Sequence, residues 1–398
     1  MDPRLLAAID RRRPPILWRA DFSGLVAGAA SALPGPLLFS RASSGHSVQT
    51  GTSTLVITGG FTANDIARAG RRLDAHDMGL VFEETRPQEV PDCRNMQAGT
   101  WNVGGGSATT PGQSGPDGAA LAHRLQVNSG GNSNFRPSVT VVSTNYVCQI
   151  WQRAYTASEA YQIMVTRGDG TRAMGVGTVP TTWGTAFVTW VAAATTCNAA
   201  PSDGRDFTVY GGIVAGARDV VVDFVNIQPG KFPTSTIVTS GGAATRAGER
   251  LYHPAASHLF HAGRMNHHVK LRPMGGATQY GAHYYLGQFD ANNYARVNSS
   301  TRRLEVMRAG ALVYNPAEAL AFNAGDLVEI QYAVGGTSLQ SFAKYRVNGG
   351  AWVSLTPDVA AGAFSPSGAW DWLCSGTSGQ FSAHVYLVEA LAAGVVLS

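Results

Sequence analysis

Gly230-Lys231-Phe232-Pro233-Thr234-Ser235-Thr236-Ile237-Val238-Thr239, followed by Ala244-Thr245-Arg246-Ala247-Gly248, is the stretch on which the fold turns. Pro233 fixes its own φ and biases Phe232 away from helix, while the Thr/Ile/Val run favours an extended backbone. Gly230, Gly241 and Gly242 punctuate the segment. The chain on either side alternates with a period of two, so the stretch reads as a seam between two β-units.

N-terminal to the seam, Met78–Arg86, Val139–Arg153, Tyr161–Arg167, Thr185–Ala194, Phe207–Ile213 and Val220–Ile227 read as strands. Gly, Pro, Asn or Asp separate them at spacings that favour a sandwich over βαβ units. C-terminal to it, His268-Val-Lys-Leu-Arg272 alternates apolar residues with cations. Asn348-Gly349 between two alternating runs supplies the positive φ angles of a hairpin turn. The expected fold class is all-β: two successive jelly-roll or concanavalin-like β-sandwiches with a short N-terminal arm. The expected division is 1–35 arm, 36–232 jelly roll with preceding strands, 233–245 linker and 246–398 second sandwich. Residues 1–13 could form a helix with Leu5, Leu6 and Ile9 on one side, ended by Pro14-Pro15.

Composition narrows the functional classes. Charged residues are 14% of the chain, against roughly a quarter in ordinary soluble domains, and 47 glycines suit short strands with tight turns. A net charge of +4 is small for 398 residues and gives nucleic-acid binding little support. The most apolar run, Leu25–Phe39, is broken by Pro34 and Pro36 and is too short to span a bilayer, so no membrane insertion is expected. Asp2 and the Arg11–Arg13 run do not suit a secretory signal, which points to synthesis in a cytoplasm. Cys93, Cys148, Cys197 and Cys374 contain no C-x-x-C pair and read as free buried thiols, with a Cys148–Cys197 disulfide as the alternative.

Several pieces, in order, resemble a module of tailed-phage fibres, spikes and minor virion proteins. They are Phe39-Ser-Arg-Ala42, Ala69-Gly-Arg-Arg-Leu-Asp74 with Gly79–Arg86, Trp101 with Gly115-Pro-Asp-Gly118, and Asn226–Gly230 with Pro233-Thr-Ser235. Pro229 stands where an acid is usual, and Thr236 where Tyr is usual. The resemblance covers roughly residues 36–250. Residues 250–398 are similar, more loosely, to a concanavalin-A/laminin-G-type sandwich through Asp290–Tyr294 and the Val347–Trp352 hairpin. The resemblance implies a virion component, made in the host cytoplasm and exposed on a particle as a fibre, spike or head decoration. Its implied partners are capsid or tail proteins, host-surface glycan and further copies of itself, most often as a trimer.

The chemistry that would make it an enzyme instead, a polysaccharide depolymerase, needs two carboxylates facing one bond. Glu83 and Glu84 are adjacent on a strand and point to opposite faces, and no Glu-x-Asp-x-x-Glu strand is present. Asp326 and Glu329 read as solvated edge charges. His253, His258, His261, His267 and His268 lack the H-E-x-x-H pattern and read as polar residues of an inter-domain segment. No cofactor is expected, apart from calcium at the loop oxygens of Asp290 and Asn292. For glycan binding, Trp370 and Trp372 share one face of an extended segment, with Asp290 and Asn292 as polar partners, whereas Trp101 and Trp151 belong to a core. Leu5, Leu6, Ile9 and Trp18 are the expected attachment residues of the arm.

Overall fold

The structure is a computed structural model, and it describes residues 16–22, 37–40, 45–48, 55–58, 68–70, 79–97, 99, 101–103, 107–127, 135–137, 145–166, 172–190, 207–209, 218–234, 236–280, 283–336, 341–358, 362–366, 368–375 and 381–397. The proposed helix with Leu5, Leu6 and Ile9, the residue Cys197 and the glycine run 104–106 lie outside the described residues.

The described chain is all-β, organised as two β-sandwiches, with the 3-10 turn Ala256–Leu259 as its sole helical element among the described residues. Among the described residues no helix is long and apolar enough to cross a membrane. The first sandwich has two five-stranded sheets. One runs in the order Gly184–Trp190, Tyr146–Ala154, Arg218–Pro229, Ala122–Val127, Ser107–Gln113; the other Arg172–Val179, Glu159–Thr166, Phe207–Val209, Phe135–Pro137, Trp101–Val103. Trp101 and Trp151 are buried, as expected.

The second sandwich pairs a nine-stranded with a seven-stranded sheet. The centre of the nine-stranded sheet is Ser341–Val347, Val328–Gly335, Arg264–Pro273 and Ala383–Leu391. Asn348 and Gly349 adopt φ of 53° and 72° in the anticipated hairpin. The sheets cross the expected boundaries. Ile16–Asp21 and Gly79–Phe82 both pair with Ala383–Leu391, and Leu38–Ser40 pairs with Arg250–His253. Ile16–Asp21, Leu38–Ser40, Arg68–Gly70 and Gly79–Phe82 thus belong to the sheets of the second sandwich, and the first is set between these strands and the rest of it. Period-two alternation says that a strand has a buried face; it does not say which sheet supplies the neighbour.

The seam is no free linker. Its threonines and isoleucine cover the back of the first sandwich: Thr234 donates to Gln228, the Trp151 indole N–H to Thr236 (3.1 Å), and the Ile237 N–H to Asn226 (3.0 Å). Ala244–Arg246 then pairs with Arg86–Gln88. The buried Arg86 guanidinium donates to the Phe232 carbonyl (3.0 Å), stacks on the Phe232 ring at 4.6 Å and is held by Glu84. Gly230 is required here: its φ is +134°, and a Cβ would stand 2.1 Å from the Arg86 Nη1. Asp117 of the Gly-Pro-Asp-Gly loop has an equally structural role, sharing Arg94 with the buried Asp223.

His267 and His268 are neighbours on one strand with opposite environments. His267 faces the core, its Nε2 3.0 Å from the Leu259 carbonyl, and burial pushes it down to about 3. On the other face of the sheet, burial also disfavours charge on His268. There, an ion pair with Glu329 (3.4 Å) and a hydrogen bond with Glu389 (2.7 Å) outweigh burial and raise it above its ordinary value. Stability is therefore expected to fall in both directions from the unfolded histidine value of about 6.5. On the acid side the unfolded chain protonates a histidine that the fold keeps neutral. On the basic side, the stabilisation of charged His268 is lost as pH rises through its raised pKa. Denaturant midpoints across pH check this: His268→Gln should flatten the basic limb alone, and an unchanged basic limb would refute the assignment.

Candidate functional site

The seven-stranded sheet runs Leu38–Ser40, Arg250–His253, Trp370–Trp372, Tyr284–Asp290, Asn293–Val297, Leu304–Arg308, Ala311–Tyr314. Alternation sends Leu251, Trp370, Trp372, Tyr284, Ala295, Val297, Leu304 and Val306 into the core. The residues between them form the other face. Cross-strand register sets Tyr252 opposite Asp371, Asp371 opposite Gln288, Gln288 opposite Tyr294 and Tyr294 opposite Met307. This single row crosses five strands, about 19 Å at a strand spacing of about 4.8 Å. Beside it Tyr285 lies opposite Arg296, and Arg296 opposite Glu305.

A β-irregularity between Tyr285 and Gly287 makes the arrangement possible, because it lets both Tyr285 and Gln288 leave the core. Gly287 is needed at that point, since a Cβ there would stand 2.1 Å from the Trp370 ring. The two arginines are fixed by carboxylates: Arg250 donates to Asp371 (2.8 Å) and Arg296 to Glu305 (2.9 Å). Each guanidinium also lies over a tyrosine ring, Arg250 over Tyr252 at 4.4 Å and Arg296 over Tyr294 at 4.9 Å. Burial alone would lower Arg296, but its bonds to Glu305 and Tyr285 raise it, so it stays charged. Burial raises the Tyr294 phenol, which keeps it a neutral donor. Gln288 Oε1 is buried and has no hydrogen-bond partner among the described residues. Tyr294 and Asp371 are themselves buried, so the face presents the half-buried Tyr252 and Tyr285 rings and two ion pairs whose formal charges cancel. It suits a neutral, hydroxyl-rich ligand with apolar patches.

The structure places the sequence-expected residues differently. Trp370 and Trp372 do share one face, but that face is the core: both are 0% exposed and packed edge-on against each other, and both lie 4.9 Å from the His267 ring. Asp371, between them, is the residue that points to the candidate face. Trp18, expected in the attaching arm, stacks on Trp372 at 5.9 Å within a strand paired to Ala383–Leu391, so its indole is committed to this sandwich. Asp290 and Asn292 sit exposed at the tip of the hairpin joining two strands of the site. Asp290 accepts from the Asn292 N–H and the Asn293 side chain, each at 2.8 Å, and so closes the turn. Among the described residues no group of three His, Cys, Asp or Glu is placed to hold a metal ion.

Two further expectations are corrected. His253, His267 and His268 are buried within the second sandwich, not polar residues of an inter-domain segment. Glu329 is buried and tied bidentately to Arg346, and is no solvated edge charge. The expected free buried thiols are found at Cys93, Cys148 and Cys374. Sequence reasoning missed Tyr252, Tyr285, Gln288, Tyr294 and Arg296. Part of the signal was present: Asn293-Tyr-Ala-Arg-Val297 and Leu304-Glu-Val-Met307 alternate. The bulge in the preceding strand hid the rest.

No family model matches the chain, and no curated protein matches it. Among solved structures it is similar to the CBM22-1 xylan-binding domain from Paenibacillus barcinonensis Xyn10C, at 10% identity and a TM-score of 0.26, over 36% of this chain and 92% of that one. The tandem CBM22-1-CBM22-2 domain of the same protein gives 11% identity and 0.26, over 78% and 98%. Domains LG4-5 of the mouse laminin alpha1 chain give 11% and 0.20, over 77% and 88%. These overlaps are too loose to transfer a site, and the face stands on its own geometry.

Proposed function

We propose that this protein is a non-enzymatic structural component of a tailed phage or phage-like particle that binds host-surface glycan through the outward face of its seven-stranded sheet. The observation carrying the glycan reading is the in-register row of Tyr252, Asp371, Gln288 and Tyr294, flanked by Tyr285 and two carboxylate-held arginines. A pyranose ring has an apolar face for a tyrosine and hydroxyls for amide, carboxylate and guanidinium groups. The particle reading rests on the ordered motifs of residues 36–250. Residues 1–15, with Leu5, Leu6 and Ile9, are the proposed attachment segment to capsid or tail. Such contacts bind single sugars weakly, so a homo-oligomer, with a trimer favoured, would supply avidity.

Isothermal titration of purified protein with host capsule or lipopolysaccharide fragments tests the binding. The Tyr252→Ala/Tyr285→Ala double variant should melt within a few degrees of the parent and lose about fivefold to a hundredfold in affinity, the loss of two stacking contacts of about 0.5–1.5 kcal/mol each. Unchanged affinity would remove this face from the reading. Release of new reducing ends or unsaturated sugars during the incubation would instead make the protein a depolymerase.

A further inference from the structure

The grouping of arginine, carboxylate and tyrosine seen on the seven-stranded sheet recurs on the first sandwich. Arg124 donates to Asp219 through two bonds (2.7 and 2.6 Å) and lies 3.7 Å over the Tyr155 ring, as Arg250 does with Asp371 and Tyr252. Cross-strand register sets Arg153 opposite Val221, Val221 opposite Arg124 and Arg124 opposite Thr110. Trp183 immediately precedes Gly184, which lies opposite Gln152, so its indole comes beside Arg153, with the guanidinium 5.5 Å from the ring. The Tyr155 N–H donates to the Asp219 carbonyl (3.0 Å), which ties Tyr155 to the neighbouring strand. Alternation puts Trp151, Arg153 and Tyr155 on one face. The seam meets that face at Trp151, and beyond it the face is open: Tyr155 is 37% exposed, while Arg153, Arg124 and Trp183 are half-buried above the buried Val221.

The two arginines differ in charge balance. Asp219 cancels Arg124, whereas Arg153 donates to the Ala154 carbonyl (3.3 Å) and has no carboxylate partner among the described residues. We propose that Arg153, between Trp183 on one side and the Tyr155–Arg124 stack on the other, is a second ligand site of this protein, and that it takes a carboxylated sugar of an acidic polysaccharide. A guanidinium recognises a carboxylate through paired N–H donors, and the flanking rings supply surfaces for the apolar face of a pyranose. One uncompensated cation beside neutral threonines matches one carboxylate among hydroxyls. A run of acidic side chains would call for several free cations. The site lies on the other sandwich from the tyrosine row and stands whether or not that row binds.

The test is isothermal titration of the full chain with short oligomers of galacturonic, glucuronic and mannuronic acid, each also in carboxyl-reduced form, and with hexaglutamate. At least one acidic oligomer is expected to bind, more weakly as salt is raised, and its carboxyl-reduced form should bind about tenfold or more weakly. Arg153→Gln should lose about tenfold or more for the acidic oligomer, whereas Tyr252→Ala/Tyr285→Ala should leave that affinity unchanged. Thermal melting checks that each variant is folded. Binding of none of the acidic oligomers, equal binding of the reduced forms, or tighter binding of hexaglutamate overturns the proposal, as does parental affinity in Arg153→Gln. Should Arg153→Gln fail to fold, Trp183→Ala must lose affinity for the acidic oligomer, or the proposal is wrong.

Discussion

Arg246→Met is expected to lower stability by about 3–5 kcal/mol, the range found when one partner of a buried ion pair is removed. Arg246 is 1% exposed at the junction of the seam with residues 79–88. Its Nη1 lies 3.4 Å from Glu83, and its Nη2 donates to the Glu84 carbonyl. Glu83 is fully buried, as is Glu249, whose carboxylate accepts the Glu83 N–H at 2.7 Å. Methionine fills most of the volume and removes the compensating charge, leaving two carboxylates in a water-excluded site. Urea denaturation at neutral pH measures the deficit. A deficit below about 1 kcal/mol at neutral pH, the worth of a surface pair, would show that the cluster is hydrated in solution.

Trp370→Ala should be nearly as damaging, at about 3–5 kcal/mol, the usual cost of truncating a buried tryptophan. The indole packs against Phe260 at 5.6 Å, His267 at 4.9 Å and Trp372 at 5.9 Å, and Gly287 exists to admit it. Phe260 and His267 are anchored in the opposite sheet and Trp372 on the same strand as Trp370, so none of the three is free to refill the void. The experiment separates two readings of the same residue. A variant that melts far below the parent, with glycan affinity per folded molecule retained, places the indole in the core. A variant with parental melting and no glycan binding would restore Trp370 to the binding surface and displace the tyrosine row.

The contrast between Trp370 and Tyr294 shows how much of the site was legible. For Trp370-Asp371-Trp372, alternation correctly states that the indoles share a face and that Asp371 opposes them. Which face meets water is not a local property. It depends on the nine-stranded sheet packing over the tryptophans, and that sheet is assembled from segments hundreds of residues apart, as Ile16–Asp21 and Ala383–Leu391 are. The same limit explains Trp18. An apolar N-terminal segment needs something to bury it, and sequence alone offered a particle surface as readily as the last strand of the chain.

By itself, the sequence determined what is local. Period-two patterning established an all-β chain, Asn348-Gly349 established a hairpin through its positive φ angles, and the Pro/Thr/Val seam established an extended segment. Tertiary structure alone decided strand partners, the nesting of the first sandwich between strands of the second, and the aqueous face of each sheet. It also turned expected surface charges such as Glu329 into buried, paired ones. The physical reason is that backbone conformation is set by neighbours in sequence, whereas burial and charge compensation are set by neighbours in space, and in this chain those neighbours come from opposite ends.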